Sequence, residues 1–146
     1  MSLIQNKKAY FNYEILEKIE AGIELLGFEV KSLKKGQGSL EGAHITIRGQ
    51  EAFVINMQIP PYQPGNTPKD YDPLRNRRLL LTKKEIAGLS GEEKQKGLTI
   101  IPISVYNKGR KLKLEIAIVR GKKKYDKRET IKKRDVDREI RREMKN

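Results

Sequence analysis

Cysteine is absent from this chain of 146 residues, and histidine occurs once, at position 44. The first absence removes disulfides, thiolate nucleophiles and cysteine-based zinc sites together, and fits a reducing cytosol. The second leaves His44 in a predicted strand, without Cys or Ser neighbours at metal or triad spacing. Glycine-rich phosphate loops are missing too: neither G-x-x-x-x-G-K-[ST] nor G-x-G-x-x-G occurs, so nucleotide binding through such a loop has no support. Ser32-Leu33-Lys34-Lys35 spells S-x-x-K, but the companion motifs of serine acyl enzymes are missing. No apolar run approaches the roughly 20 residues of a membrane span, and the opening MSLIQNKKAYF lacks the apolar stretch of a signal peptide. The expectation is a soluble cytoplasmic chain. Carboxylates are plentiful, yet almost every one lies beside Lys or Arg in sequence, which suits solvated ion pairs rather than a catalytic dyad. No catalytic residue, metal site or cofactor is expected.

What the chain has instead is positive charge, +13 in all. Residues 121–146, GKKKYDKRETIKKRDVDREIRREMKN, hold twelve cations against six anions. Taking this net +6 from +13 leaves +7 on residues 1–120. In the tail, Tyr125, Ile131, Val136, Ile140 and Met144 alone offer apolar surface, too little to offset the entropy of ordering the segment by itself. Ion pairs at i,i+4 (Asp137 to Arg141) and i,i+3 (Glu139 to Arg142) add only about 0.2–0.5 kcal/mol each, so a free helix is marginal. The tail is expected to be disordered when free and to become helical on a partner. Counterion release rewards each Lys or Arg that neutralises a phosphate, and arginine-rich segments often fold on RNA. A membrane is disfavoured because the tail has no stripe of Trp, Phe or Leu to insert.

The organisation is that of one domain, residues 1–120, long enough for its own core, followed by the tail. Residues 13–24 alternate with period 2 and suit a half-buried strand, with helix as the rival. Leu25, Leu26, Phe28, Val30 and Leu33 then bunch before Gly36, which fits a short helix with a glycine stop. Residues 43–48 and 51–57 flank Gly49-Gln50 as a hairpin. Residues 58–73 contain five prolines in sixteen positions and must form a long loop. A short strand at 78–81 precedes two capping boxes, Thr82-Lys83-Lys84-Glu85 and Ser90-Gly91-Glu92-Glu93, which predict two short helices. Residues 98–106 and 111–120 flank a second turn, with Leu112, Leu114, Ile116 and Ile118 alternating cleanly. The pattern predicts a mainly β fold: a small OB-like antiparallel β-barrel of about six strands, closed or nearly closed, with about three short helices. Base stacking and phosphate neutralisation point to Tyr10, Phe11 and Tyr13 beside Lys7 and Lys8, to Tyr62 and Tyr71 beside Arg75, Arg77 and Arg78, and to Tyr125. For Phe11, Tyr13 and Tyr106 burial ranks ahead of stacking.

Six runs taken in order resemble one family: Asn6-Lys7-Lys8-Ala9-Tyr10, Glu20-Ala21-Gly22-Ile23, the ten residues from Gly27 through Gly36 (GFEVKSLKKG), those from Asp72 through Leu81 (DPLRNRRLLL), Gly97-Leu98-Thr99-Ile100-Ile101-Pro102, and GKKKYDKR from Gly121. Together they are similar to small protein B, the SsrA- or tmRNA-binding proteins of bacteria. The resemblance implies an OB-like barrel that binds the tRNA-like domain of tmRNA and brings it to stalled ribosomes for trans-translation, catalysing nothing and acting as a monomer. It implies tmRNA contacts at Glu20, Leu80 and Thr82, with Lys31, Lys34, Arg75 and Arg77 beside them. As a carboxylate repels phosphate, Glu20 is expected either to accept hydrogen bonds from base or ribose groups or to orient a nearby Lys or Arg. The tail residues Lys122, Lys123, Lys124, Tyr125, Asp126, Lys127, Arg128, Lys132, Lys133 and Arg134 are implied to occupy the empty mRNA path and decoding centre of the small ribosomal subunit. A structural ribosomal RNA-binding protein is the alternative.

Overall fold

Alternation along three eleven-residue strands sets the frame of the fold. The computed structural model describes residues 2–63, 65 and 67–122, in the order β1 (Ser2–Gln5), α1 (Ala9–Asn12), β2 (Tyr13–Ile23), α2 (Gly27–Lys34), β3 (His44–Arg48), β4 (Glu51–Ile55), β5 (Arg77–Leu80), α3 (Lys83–Glu93), β6 (Leu98–Lys108) and β7 (Lys111–Gly121). All strand pairs are antiparallel, in one sheet ordered β1-β6-β7-β2-β5-β4-β3. The class is mainly β, as expected, but the described strands number seven and the barrel does not close. β3 lies close to β6 with no ladder between them, and α3 packs against both strands. A helix over the seam shields edges that closure would otherwise remove.

The two hairpins form where expected, with Gly49 at φ +63° and Gly109 at φ +64°. A positive φ at the first central residue is what a type II′ turn requires, and glycine adopts it without penalty. α2 stops at Gly36, whose φ of +74° turns the chain so that Gln37 N–H reaches Ser32 O at 3.0 Å, beside the bond from Gly36 N–H to Leu33 O at 2.9 Å. Two expectations fail. β1 was not foreseen, because four residues show little periodicity and its order comes from pairing with β6 (Ile4 with Val105). The second capping box starts no helix, since Ser90 lies inside α3, where Leu89 is buried in the core and carries the first helix onward.

The sheet has two apolar faces of unequal size. Its inner face packs Ala21, Ile23, Leu114, Ile116 and Ile118 with Leu33 of α2 and Leu89 of α3. On the outer face, Ile101, Ile103, Ala117 and Val119 form a smaller cluster under Ala9 of α1. Bulges at Ile15/Glu17 in β2 and Pro102/Ser104 in β6 mark where this cluster gives way to charged outer residues.

Glu29, on α2, is fully buried, contrary to the expectation that the carboxylates are solvated. It accepts hydrogen bonds from Leu26 N–H (2.8 Å), Tyr71 Oη (2.9 Å), Arg75 Nη2 (2.5 Å) and Arg77 Nε (2.8 Å). Arg77, equally buried, donates onward to the carbonyls of Met57 (2.6 Å), Pro73 (3.0 Å) and Arg75 (3.1 Å). Burial pushes the Glu29 carboxyl up, but the bonds from Arg75, Leu26 and Arg77 outweigh it and hold the pKa below the ordinary value. Burial and the Glu29 bond together push the Tyr71 hydroxyl up to about 12.

Removing one partner of a buried pair strands the other charge. Arg77→Met should therefore cost about 3–5 kcal/mol, read by urea unfolding at pH 7. The pH dependence follows from Glu29, whose folded-state pKa lies below its unfolded value near 4.5. Its contribution is complete above that value and is lost as pH falls through the folded pKa. Glu29→Gln should thus lose less stability than the parent protein on acidification from pH 5 to the acid limit of folding.

Candidate nucleic-acid interface

The E-A-G run sits near the end of β2, and each residue has a different task. Ala21 is buried in the inner core, while Glu20 and Gly22 point to the outer face. Gly22 pairs with Leu80 across the β2–β5 ladder. A Cβ on Gly22 would meet Leu80 Cβ at 3.0 Å, so glycine is what lets Leu80 lie close over β2. In β5 the alternation buries Arg77 and Leu79 and turns Arg78 and Leu80 outward, Leu80 remaining 50% exposed. Thr82 follows as the N-cap of α3, its Oγ1 accepting from Glu85 N–H at 3.1 Å while Glu85 Oε1 accepts from Thr82 N–H at 2.9 Å. Glu20, Gly22, Leu80 and Thr82 line one open groove of about 430 Å³, bordered by Arg78 and Lys113.

Glu20 is held from both sides. Tyr106 Oη donates to its Oε2 at 2.5 Å and Lys108 Nζ to its Oε1 at 2.9 Å. The bond from Tyr106, then that from Lys108, lowers the Glu20 pKa, so the carboxylate stays ionised at neutral pH. Burial and the same bond raise Tyr106 above the ordinary phenol range. Further along β2, Lys18 Nζ donates to Tyr10 Oη at 3.1 Å and stands 3.7 Å from Glu115.

The residues singled out from sequence separate into four groups. Glu20, Leu80 and Thr82 come together in the groove. Lys31 and Lys34 project from the exposed side of α2, Lys31 lying 6.0 Å from the Tyr62 ring; with Arg75 they are outside the groove lining. Arg77 is a correction, because a side chain with no exposed surface and a complete set of buried acceptors cannot reach RNA. Tyr71 is a second one: its hydroxyl is spent on Glu29 and Ile59 O, and its ring meets Phe28 edge-on at 4.7 Å. Of the tail residues, Lys122 is described, its N–H donating to Asn12 O at 3.0 Å; Lys123, Lys124, Tyr125, Asp126, Lys127, Arg128, Lys132, Lys133 and Arg134 lie outside the described residues. Sequence reasoning missed Lys108 and Lys113 altogether and took Tyr106 for a core residue. Among the described residues no group of three His, Cys, Asp or Glu side chains is placed to hold a metal ion, and no helix is long and apolar enough to cross a membrane.

Comparison with known proteins fits this geometry. The family model described as SmpB protein matches residues 3–146. This chain belongs to the SmpB family. It is 52% identical over 141 residues to an SsrA-binding protein of Elusimicrobium minutum, covering 97% of this chain and 89% of that one. An SsrA-binding protein of Thermosipho africanus is 53% identical over 136 residues, covering 92% and 91%. Among solved structures, a chain from "tmRNA-SmpB: a journey to the center of the bacterial ribosome" superposes with a TM-score of 0.70 at 40% identity, over 82% of this chain and 84% of that chain. The resemblance seen in the sequence motifs is thereby confirmed along the chain.

The groove makes a paired prediction. Gly22→Ala should displace the Leu80 side chain, visible as shifted Leu80 methyl resonances, at a cost of about 1 kcal/mol from local overpacking. Leu80→Ala should change stability by less than about 1 kcal/mol, since a half-exposed leucine contributes little to the core.

Proposed function

We propose that this chain is a tmRNA-binding adaptor of trans-translation, which binds the tRNA-like domain of tmRNA and delivers it to stalled ribosomes. The observation that carries this reading is the match to SmpB over residues 3–146, together with relatives named for SsrA binding. The groove of Glu20, Leu80 and Thr82 is assigned to the RNA, with Lys31, Lys34 and Arg75 as flanking cations; Arg77 serves the fold instead. The net +7 of residues 1–120 supports RNA binding by the β domain itself. The tail from Lys122 onward, with Tyr125, Asp126, Lys127 and Arg128 and the cations Lys132, Lys133 and Arg134, is assigned to the empty mRNA path and decoding centre. Intact mRNA would compete for that space, so tail binding itself reports stalling. In this role the protein is a cytoplasmic monomer and catalyses nothing.

Sequencing the RNA that co-purifies with tagged protein tests the reading directly. One abundant tRNA-like RNA and substoichiometric ribosomes are expected, whereas stoichiometric association with one subunit would indicate a structural ribosomal protein. Deleting residues 122–146 should leave most affinity for the tRNA-like domain intact in filter binding. Replacing Asp126, Lys127 and Arg128 together by alanine should abolish peptide tagging on stalled ribosomes while RNA binding survives.

A further inference from the structure

A carboxylate on an RNA-facing surface needs a physical reason. Glu20 repels phosphate, and burial does not neutralise it. Both of its oxygens already have partners from β6, Oε2 from Tyr106 and Oε1 from Lys108. These bonds join residues 86 and 88 positions away in the chain, on the outer face of the three strands β2, β7 and β6. The Lys108 side chain is 63% exposed, and an ammonium has three N–H donors, of which the bond to Glu20 uses one. Free lysine is a flexible point charge that loses rotamer entropy when it binds a phosphate. A lysine already fastened by a carboxylate has lost part of that freedom on folding. Tyr106 completes the arrangement by fixing the carboxylate in turn. Across the β6–β7 ladder from Tyr106 stands Lys113, which borders the Leu80 groove and acts on Glu20 through space. Glu115, across the β2–β7 ladder from Glu20, is met in turn by Lys18 at 3.7 Å, so each carboxylate on this face has a lysine beside it.

Resting on the functional reading above, we propose that Glu20 is a positioning residue rather than an RNA contact, and that Lys108, which it aims, binds a backbone phosphate of the tRNA-like RNA beside the Leu80 groove. Tyr106 is the second positioning residue. The RNA-binding surface thus runs from Leu80 and Thr82 on β5 and α3, across β2 and β7, to the end of β6.

The test is the salt dependence of binding to an in vitro transcript of the tRNA-like domain, because each lost phosphate contact lowers the slope of log K against log salt by about one. Lys108→Met should weaken binding about tenfold and lower the slope by about one. Glu20→Gln should do the same despite removing a negative charge, and the double variant should bind no more weakly than either single one. Tyr106→Phe should weaken binding about threefold, with thermal unfolding midpoints close to the parent's for all four. The inference is overturned if Lys108→Met leaves affinity and slope unchanged. It is also overturned if Glu20→Gln lowers affinity at an unchanged slope and its loss multiplies with that of Lys108→Met, since Glu20 would then touch RNA itself. Failure of the unaltered protein to bind the transcript would instead overturn the functional reading, and the inference with it.

Discussion

The buried carboxylate of Glu29 is the constraint on which the joining of α2, the proline-rich loop and β5 depends. Its partners come from α2 itself, from the proline-rich loop and from β5, three segments far apart in the chain that this one side chain ties together. Residues 58–73 make few backbone pairings, a bridge between Gln58 and Ser39 and a handful of turn bonds, so side-chain donors reach carbonyls in and beside this loop. Arg77 supplies them for Met57 and Pro73, and its remaining donors close on Glu29 and Tyr71. A buried ion pair of this kind adds little net stability over an apolar substitute, but a stranded half is expensive, so arrangements that part Arg77 from Glu29 are disfavoured. The pairing holds β5 against α2 and the loop, and the β2–β5 ladder sets Leu80 over Gly22.

The outer face of the sheet shows how one strand set serves two chemistries. Toward the start of β2 the outer residues are apolar and lie under α1; past the bulges they become Lys18, Glu20, Lys113 and Glu115. β7 crosses this boundary without a bulge, which keeps Leu114, Ile116 and Ile118 in the inner core along its length. The inner core can thus remain continuous while the outer surface changes from apolar packing to charge.

Features set by a few adjacent residues were legible in the sequence. Gly49 and Gly109 announced their turns, Gly36 the end of α2, and Thr82 with Glu85 the start of α3. The three arginines of R-N-R-R were not separable by composition. Strand alternation buries Arg77 and exposes Arg78, and the burial of Arg77 depends on an acid 48 positions away. Glu29 itself looks in sequence like any other glutamate beside basic residues. The motif resemblance found Glu20, Leu80 and Thr82, but Tyr106 and Lys108 reach Glu20 only through the β2–β7–β6 register, and no local pattern records that. β1 was invisible for a related reason, since its order is lent by β6.

The backbone bond from Lys122 to Asn12 O lies where Tyr13 pairs with Gly121, whereas the groove lies where Gly22 pairs with Lys113. Between these pairings run eight or nine residue steps of continuous ladder, roughly 25–30 Å at strand rise. The pair of strands is consequently a gauge of fixed length. The groove at one end and Lys122, where the basic segment begins, at the other are kept about one small-domain width apart by the ladder itself, so neither can shift along the strands without the other.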